Sequence, residues 1–135
     1  MAEMELIHEE LTESIIGCYY NVYNALHYGF LEKVYENALM MELINAGHKV
    51  EAQKRIAVYY QGKIVGDYFA DMVVDDLVIL ELKACESVRE EHIAQLINYL
   101  RATSIELGLL LNFGKEPKVL RRVFMNVNKK SNKSS

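Results

Sequence analysis

Two scattered cysteines, four histidines without metal spacing and no long apolar run set the first limits on this 135-residue chain. Cys18 and Cys85 stand far apart and form no CxxC, so small-hydrophobe roles in a reducing compartment are expected of both. Nothing local in sequence activates Cys85 as a nucleophile. The histidines show no zinc pattern such as HExxH, and there is no Walker A loop, GxGxxG or GxSxG. No apolar stretch approaches the roughly 18–20 residues that a membrane span needs. The opening "MAEMELIHEELTES" is acidic and lacks the basic n-region of a signal peptide, which points to the cytoplasm.

What is present is ordinary for one globular domain: 51% hydrophobic and 25% charged residues, enough for a single core. The net charge of -4 hides an asymmetry, with residues 1–114 at -10 and residues 115–135 at +6. Residues 1–127 are expected to form one domain and residues 128–135 a disordered basic tail. Such a tail suits contact with nucleic acid or, equally, a solubilising frayed end. The acidic body argues against a broad DNA-coating surface.

Apolar residues at steps of three and four over residues 6–26 predict an amphipathic helix, with Thr12 as a candidate internal N-cap. A second helix is expected from about Phe30, with Leu31, Val34, Tyr35, Ala38, Leu39 and Leu43 inward and Gly47 ending it. The period then shortens. "KVEAQKRIAVYY", "KIVGDYFADMVV" and "LVILELKA" read as strands, separated by turns at "QG" and "DD". "SVREEHIAQLINYLRAT" returns to helix, "ELGLLLNF" is a strand buried on both faces, and "KVLRRVFMNV" is a last strand. The order α-α-β-β-β-α-β-β implies an α/β (α+β) fold with a mixed sheet flanked by helices.

Asp71, Glu81 and Lys83 interrupt the apolar hairpin "GDYFADMVVDDLVILELKACE" at residues 66–86, and buried charge is costly unless paired or metal-bound. Strand alternation puts Ile79, Glu81 and Lys83 on one face, with Glu81 and Lys83 about 7 Å apart at Cα. A turn centred on Asp76 places Asp71 opposite Glu81, with Cβ atoms roughly 5 Å apart. Facing carboxylates repel unless a cation such as Mg²⁺ sits between them, and Lys83 would stand beside it. A two-residue turn of Asp75 and Asp76 instead pairs Asp71 with Leu80 and turns it to the other face. The competing view is a solvated edge hairpin whose Glu81 and Lys83 form a weak surface ion pair.

The pattern D-x9-E-x-K on consecutive strands, between a helix bearing Glu and a helix bearing Gln, resembles the PD-(D/E)XK nuclease superfamily. "GFLEKVY", with Gly29, Glu32 and Tyr35, resembles its small GxxExxY branch. "LTESIIG", "FADMVVDDLVILELKA", "HIAQLINYL" and "LGLLLNFG" follow in that family's order. The resemblance covers about residues 11–123 and implies a restriction-endonuclease-like core. It implies Asp71 and Glu81 as metal-binding carboxylates, Lys83 as the motif lysine and Glu32 as a helical glutamate that ligates or orients the metal. Gln95 and Tyr99 match the QxxxY signature of RecB-like nucleases, where both line the site. Independently, Glu32 and Tyr35 share a helix face, and His92, Gln95 and Tyr99 form a stripe. Without the resemblance, Glu32 reads as a first-turn acid favoured by the helix dipole, and Gln95 and Tyr99 as a polar helix edge. The chain departs from the family at His27 and Tyr28, where relatives often carry Gly-Pro, and at Tyr23, where they often carry His.

These readings lead to a nuclease that hydrolyses phosphodiester bonds of DNA or RNA with Mg²⁺, or Mn²⁺ as substitute. The alternative is a non-catalytic module that keeps the fold to bind nucleic acid or protein. A homodimer through the first helix's apolar face is a further expectation, although packing on its own sheet explains that face as well.

Overall fold

The computed structural model describes residues 7–129. Helix α1 (Glu9–Leu26) and helix α2 (Glu32–Asn45) lead into strands β1 (Val50–Tyr60), β2 (Lys63–Val74) and β3 (Val78–Lys83). Helix α3 (Glu90–Arg101) then crosses to β4 (Leu107–Asn112), and β5 (Lys118–Val123) precedes a 3-10 turn at Asn126–Asn128. The sheet runs β1-β2-β3-β4-β5, with β3 and β4 parallel and every other pair antiparallel. This is the mixed, helix-flanked sheet expected from the element order, and it is consistent with the restriction-endonuclease-like core that the resemblance implies.

The helices cover opposite faces. On one side α1 and α2 bury Ile15, Tyr19, Leu39 and Leu43 against Leu80, Leu82, Leu109 and Leu111. On the other, Leu96, Tyr99 and Leu100 of α3 pack on Val73, Ile79 and Leu110. All of β4 is buried, as a central strand between two helical layers must be. Cys18 belongs to the first core, whereas Cys85 is only half-buried, its Sγ donating to Ser87 O at 3.2 Å.

Several local expectations need correction. Thr12 is not an N-cap: it lies inside α1, and its hydroxyl donates back to His8 O at 2.9 Å. Residue 6 of the expected helix lies outside the described residues. Helix α2 begins at Glu32, and the inward positions Leu31 and Val34 are 81% and 39% exposed. Tyr35, Leu39 and Leu43 are buried and Ala38 packs against the core as expected, while Glu36 takes the covered place that Leu31 and Val34 do not. Gly47 does end α2: it adopts φ +93° while His48 N–H reaches back to Leu43 O at 3.0 Å. Of the expected tail, Asn128 lies in the 3-10 turn and Lys129 Nζ donates to Thr103 O and Ile105 O; residues 130–135 lie outside the described residues.

Polar pins fix the carboxyl ends of β3 and β4. Asn112 is buried, and its side chain accepts from Cys85 N–H at 3.1 Å and donates to Cys85 O at 2.9 Å. That amide continues the β3–β4 pairing past Lys83, where the strand bonds stop. Tyr23 donates to Gly114 O at 2.9 Å, and Tyr19 bonds to Asn112 O and accepts from Lys118 N–H at 3.0 Å. Gly114 is where the two segments touch: a Cβ there would stand 2.0 Å from Cys85 O. Because the obstacle is backbone on both sides, Gly114→Ala should destabilise the protein by about 2–3 kcal/mol or more, read as a lowered midpoint in thermal melts.

Candidate active site

The β2–β3 turn decides the register. Met72 pairs with Leu80, Val73 with Ile79 and Val74 with Val78, so the loop holds three residues, Asp75, Asp76 and Leu77. The two-residue alternative does not occur. Asp75 explains the turn's stability: its carboxylate accepts from Lys49 N–H at 2.8 Å and pairs with His48 Nδ1 at 2.8 Å, and His48 Nε2 meets Ser14 Oγ at 2.7 Å.

Extending this register by one step sets Asp71 opposite Glu81, yet the ladder stops there. Asp71 is skipped on both sides: β1 pairs Ala52 with Met72 and Lys54 with Ala70, leaving out Gln53 at φ +52°. Side-chain oxygens replace the missing partners. Glu81 Oε2 accepts from Asp71 N–H at 2.9 Å, and Asp71 Oδ2 accepts from Leu82 N–H at 2.8 Å. Alternation also reverses at this row. Met72 packs under α1 and α2, but Ala70, an even step away, packs under α3; Val50 and Ile56 of β1 divide in the same way.

Glu81 is 6% exposed on a central strand, and Lys83 makes no ion pair with any described residue. The solvated edge hairpin with a surface Glu81–Lys83 pair is therefore excluded. Burial, and then the neighbouring Asp71 charge, push the Glu81 carboxyl up to about 8, against the opposing pull of Asp71 N–H and Lys83. Asp71 is raised as well, chiefly by burial, with Glu36 and Glu32 adding to it and the Leu82 N–H and Lys83 opposing. Tyr99 rises to about 12 through burial and the charges of Glu81 and Asp71.

Glu81, Lys83 and Gln95 line one open cavity of about 480 Å³, together with His92. Gln95 Nε2 donates to Tyr99 Oη at 3.0 Å, so the two expected residues of α3 act as a unit. Tyr99 faces an adjoining cleft, and Asp71 sits at the split row, bonded to Glu81, rather than on the cavity wall. Glu32 lies exposed in the first turn of α2. In the GxxExxY segment, Gly29 takes φ +120° in the connection. Tyr35 pins it, bonding His27 O, accepting from Phe30 N–H at 3.1 Å and stacking on Phe113 at 4.5 Å.

Sequence reasoning missed Glu36 and Gln53. Glu36 is 7% exposed and accepts from Gln53 Nε2 at 3.1 Å, and its charge acts on Asp71. Its i,i+4 spacing from Glu32 was the available signal; the twist at Gln53 left none.

A family model described as the PD-(D/E)XK nuclease superfamily matches residues 9–123. The chain belongs to the PD-(D/E)XK nuclease superfamily. No curated protein and no solved structure matches it.

The donor set fits a hard divalent cation. Among the described residues no three His, Cys, Asp or Glu side chains gather as an ion site, but Mg²⁺ commonly takes only one or two protein carboxylates. Asp71 Oδ1 and Glu81 Oε1 accept no hydrogen bond among those residues, and neither carboxylate has a cationic partner within ion-pair distance.

With a folded pKa near 8 and an unfolded value near 4.5, Glu81 contributes stability that is fully present below pH 4.5. That contribution is lost as pH rises to about 8, because the unfolded chain releases its proton first. Melts in a chelator should therefore show the midpoint falling over this range. Glu81→Gln should flatten the profile and raise the midpoint at pH 8 by about 4 °C or more.

Proposed function

We propose that this superfamily member is a metal-dependent phosphodiesterase acting on DNA or RNA. The observation that carries the reading is the pair of carboxylates, buried Glu81 and half-buried Asp71, each bonded to main chain across a split in the sheet beside an unpaired Lys83. Near neutral pH two adjacent raised carboxyls work against the fold, so their presence asks for a ligand of opposite charge.

Asp71 and Glu81 would hold the ion, and Glu32 adds a carboxylate whose charge both feel. A bound Mg²⁺, or Mn²⁺ in its place, supplies Lewis-acid polarisation of a phosphoryl oxygen and a water of lowered pKa. The main-chain N–H groups of Asp71 and Leu82 each fix one carboxylate oxygen, which holds both side chains in orientation before substrate arrives. Lys83, free of any acid partner, stabilises negative charge developing on the phosphate or positions the attacking water. Gln95 and Tyr99 present a hydrogen-bonded amide and phenol on the same side of the sheet, to orient substrate. The assignment to the GxxExxY branch belongs to the same reading and rests on Gly29, Glu32 and Tyr35.

Asp71→Ala should abolish Mg²⁺-dependent cleavage of DNA and RNA, and Lys83→Ala should lower it by about 10²-fold or more, both with unchanged circular dichroism. Equal cleavage by wild type and variants would assign the activity to something else. Calorimetric titration with Mg²⁺ or Mn²⁺ separates this reading from a non-catalytic binding module. That module predicts no binding, or binding unaltered by Asp71→Ala.

A further inference from the structure

A second cleft opens on the α3 face beside the cavity of Glu81 and Lys83, and the two share Gln95 and Asn98. Its volume is about 290 Å³, and β2 and α3 form its opposite walls. The reversal of alternation at Asp71 turns this part of β2 toward α3. On the strand side lie Gly66 and Tyr68, next to a bulge where β2 carries Val65 as one residue more than β1. Tyr68 is 44% exposed, and its ring centroid lies 6.0 Å from that of Tyr99. Gly66 gives the ring room: a Cβ there would come within 2.9 Å of Tyr68 Cε2. On the helix side, the Asn98 amide and the Arg101 guanidinium make no side-chain hydrogen bond or ion pair with any described residue.

An open aromatic face, an unpartnered amide and a free guanidinium form the set that recognises a nucleobase, by stacking and by hydrogen bonds to its edge. Along α3, Gln95 and Arg101 are six residues apart, about 9 Å of helix rise. That spacing suits the nucleotide adjoining a phosphate held at Glu81 and Lys83. We propose that this cleft takes one unpaired nucleobase next to the scissile phosphate, making single-stranded or locally unpaired nucleic acid the substrate class. Within a duplex the base faces are stacked away and cannot enter a walled cleft unless flipped out. The proposal rests on the nuclease reading for the phosphate's position; binding by the cleft itself needs no catalysis.

The test is fluorescence anisotropy in chelator, so that binding is read without cleavage. Its probes are an oligodeoxyuridine of about 12 nucleotides, an oligouridine of equal length, an abasic strand and a duplex. Either single strand should bind about 10-fold or more tightly than the duplex and the abasic strand, and the tighter of the two names the sugar. Tyr68→Ala should cost about 5- to 100-fold on the base-bearing strand and little on the abasic one, while Tyr68→Trp keeps binding. Arg101→Gln, on an exposed helix position, should also weaken binding and guards against a misfolded strand variant. Duplex bound as tightly as single strand, or base-bearing and abasic strands bound alike, would overturn the proposal. So would undiminished binding by both Tyr68→Ala and Arg101→Gln. Tyr68-dependent binding by a protein that never cleaves would sustain the cleft while removing the nuclease reading.

Discussion

Two main-chain N–H groups, those of Asp71 and Leu82, end on carboxylates instead of carbonyls, and the rest of the molecule is arranged around that exchange. A sheet ladder normally satisfies its own donors. Here β2 and β3 separate by one row, and the side chains of Asp71 and Glu81 bridge what the backbone leaves open. The bridge takes two acids out of most of their water, and burial raises both. Gln53 on β1 gives up its partner in the same row and turns its amide to Glu36 instead. The disturbance spans three strands and one helix, yet among the described residues no side-chain nitrogen or oxygen wholly shut off from solvent lacks a hydrogen-bond partner.

An opening in a sheet must be held by something stiffer than the sheet. The aromatic and amide pins serve this purpose. Tyr19, Tyr23 and Asn112 fix the ends of β3 and β4, and Tyr35 fixes the connection that presents Glu32. The Tyr19 and Tyr35 rings meet at Phe113, so the carboxyl ends of the central strands rest on one packed aromatic cluster. Lys83 stands at that end of β3. In sheets of this kind the carboxyl ends of parallel strands are where ligands are met.

Most of the fold was legible because its signals are local. The apolar stripes gave three helices, Gln61 and Gly62 gave a turn with positive φ at both positions, and the apolar run in β4 gave a strand between two layers. The site was legible only as alternatives, because residue parity in a turn is not written in any one residue. Asp75 anchors the three-residue loop through His48 and Lys49, contacts across 27 and 26 positions of chain that no local pattern predicts. Leu31 and Val34 were misplaced because a helix with apolar residues on more than one side does not declare which side is buried. The reversal at Asp71 and Gln53 was invisible for a related reason: strand reasoning assumes that alternation continues. It fails where the structure carries the candidate chemistry, as buried functional groups tend to break local rules.

The three-residue turn ties the site to how this hairpin changes length. With the Val74–Val78 pair kept, one residue added or removed at positions 75–77 gives a loop of four or two residues and leaves Asp71 facing Glu81. An insertion that instead keeps a three-residue loop by pairing Val74 with Leu77 sets Asp71 against Leu80 and carries the acid to the face packed by α1 and α2. Length changes here are therefore tolerated by the site only where the loop, and not the strand register, absorbs them.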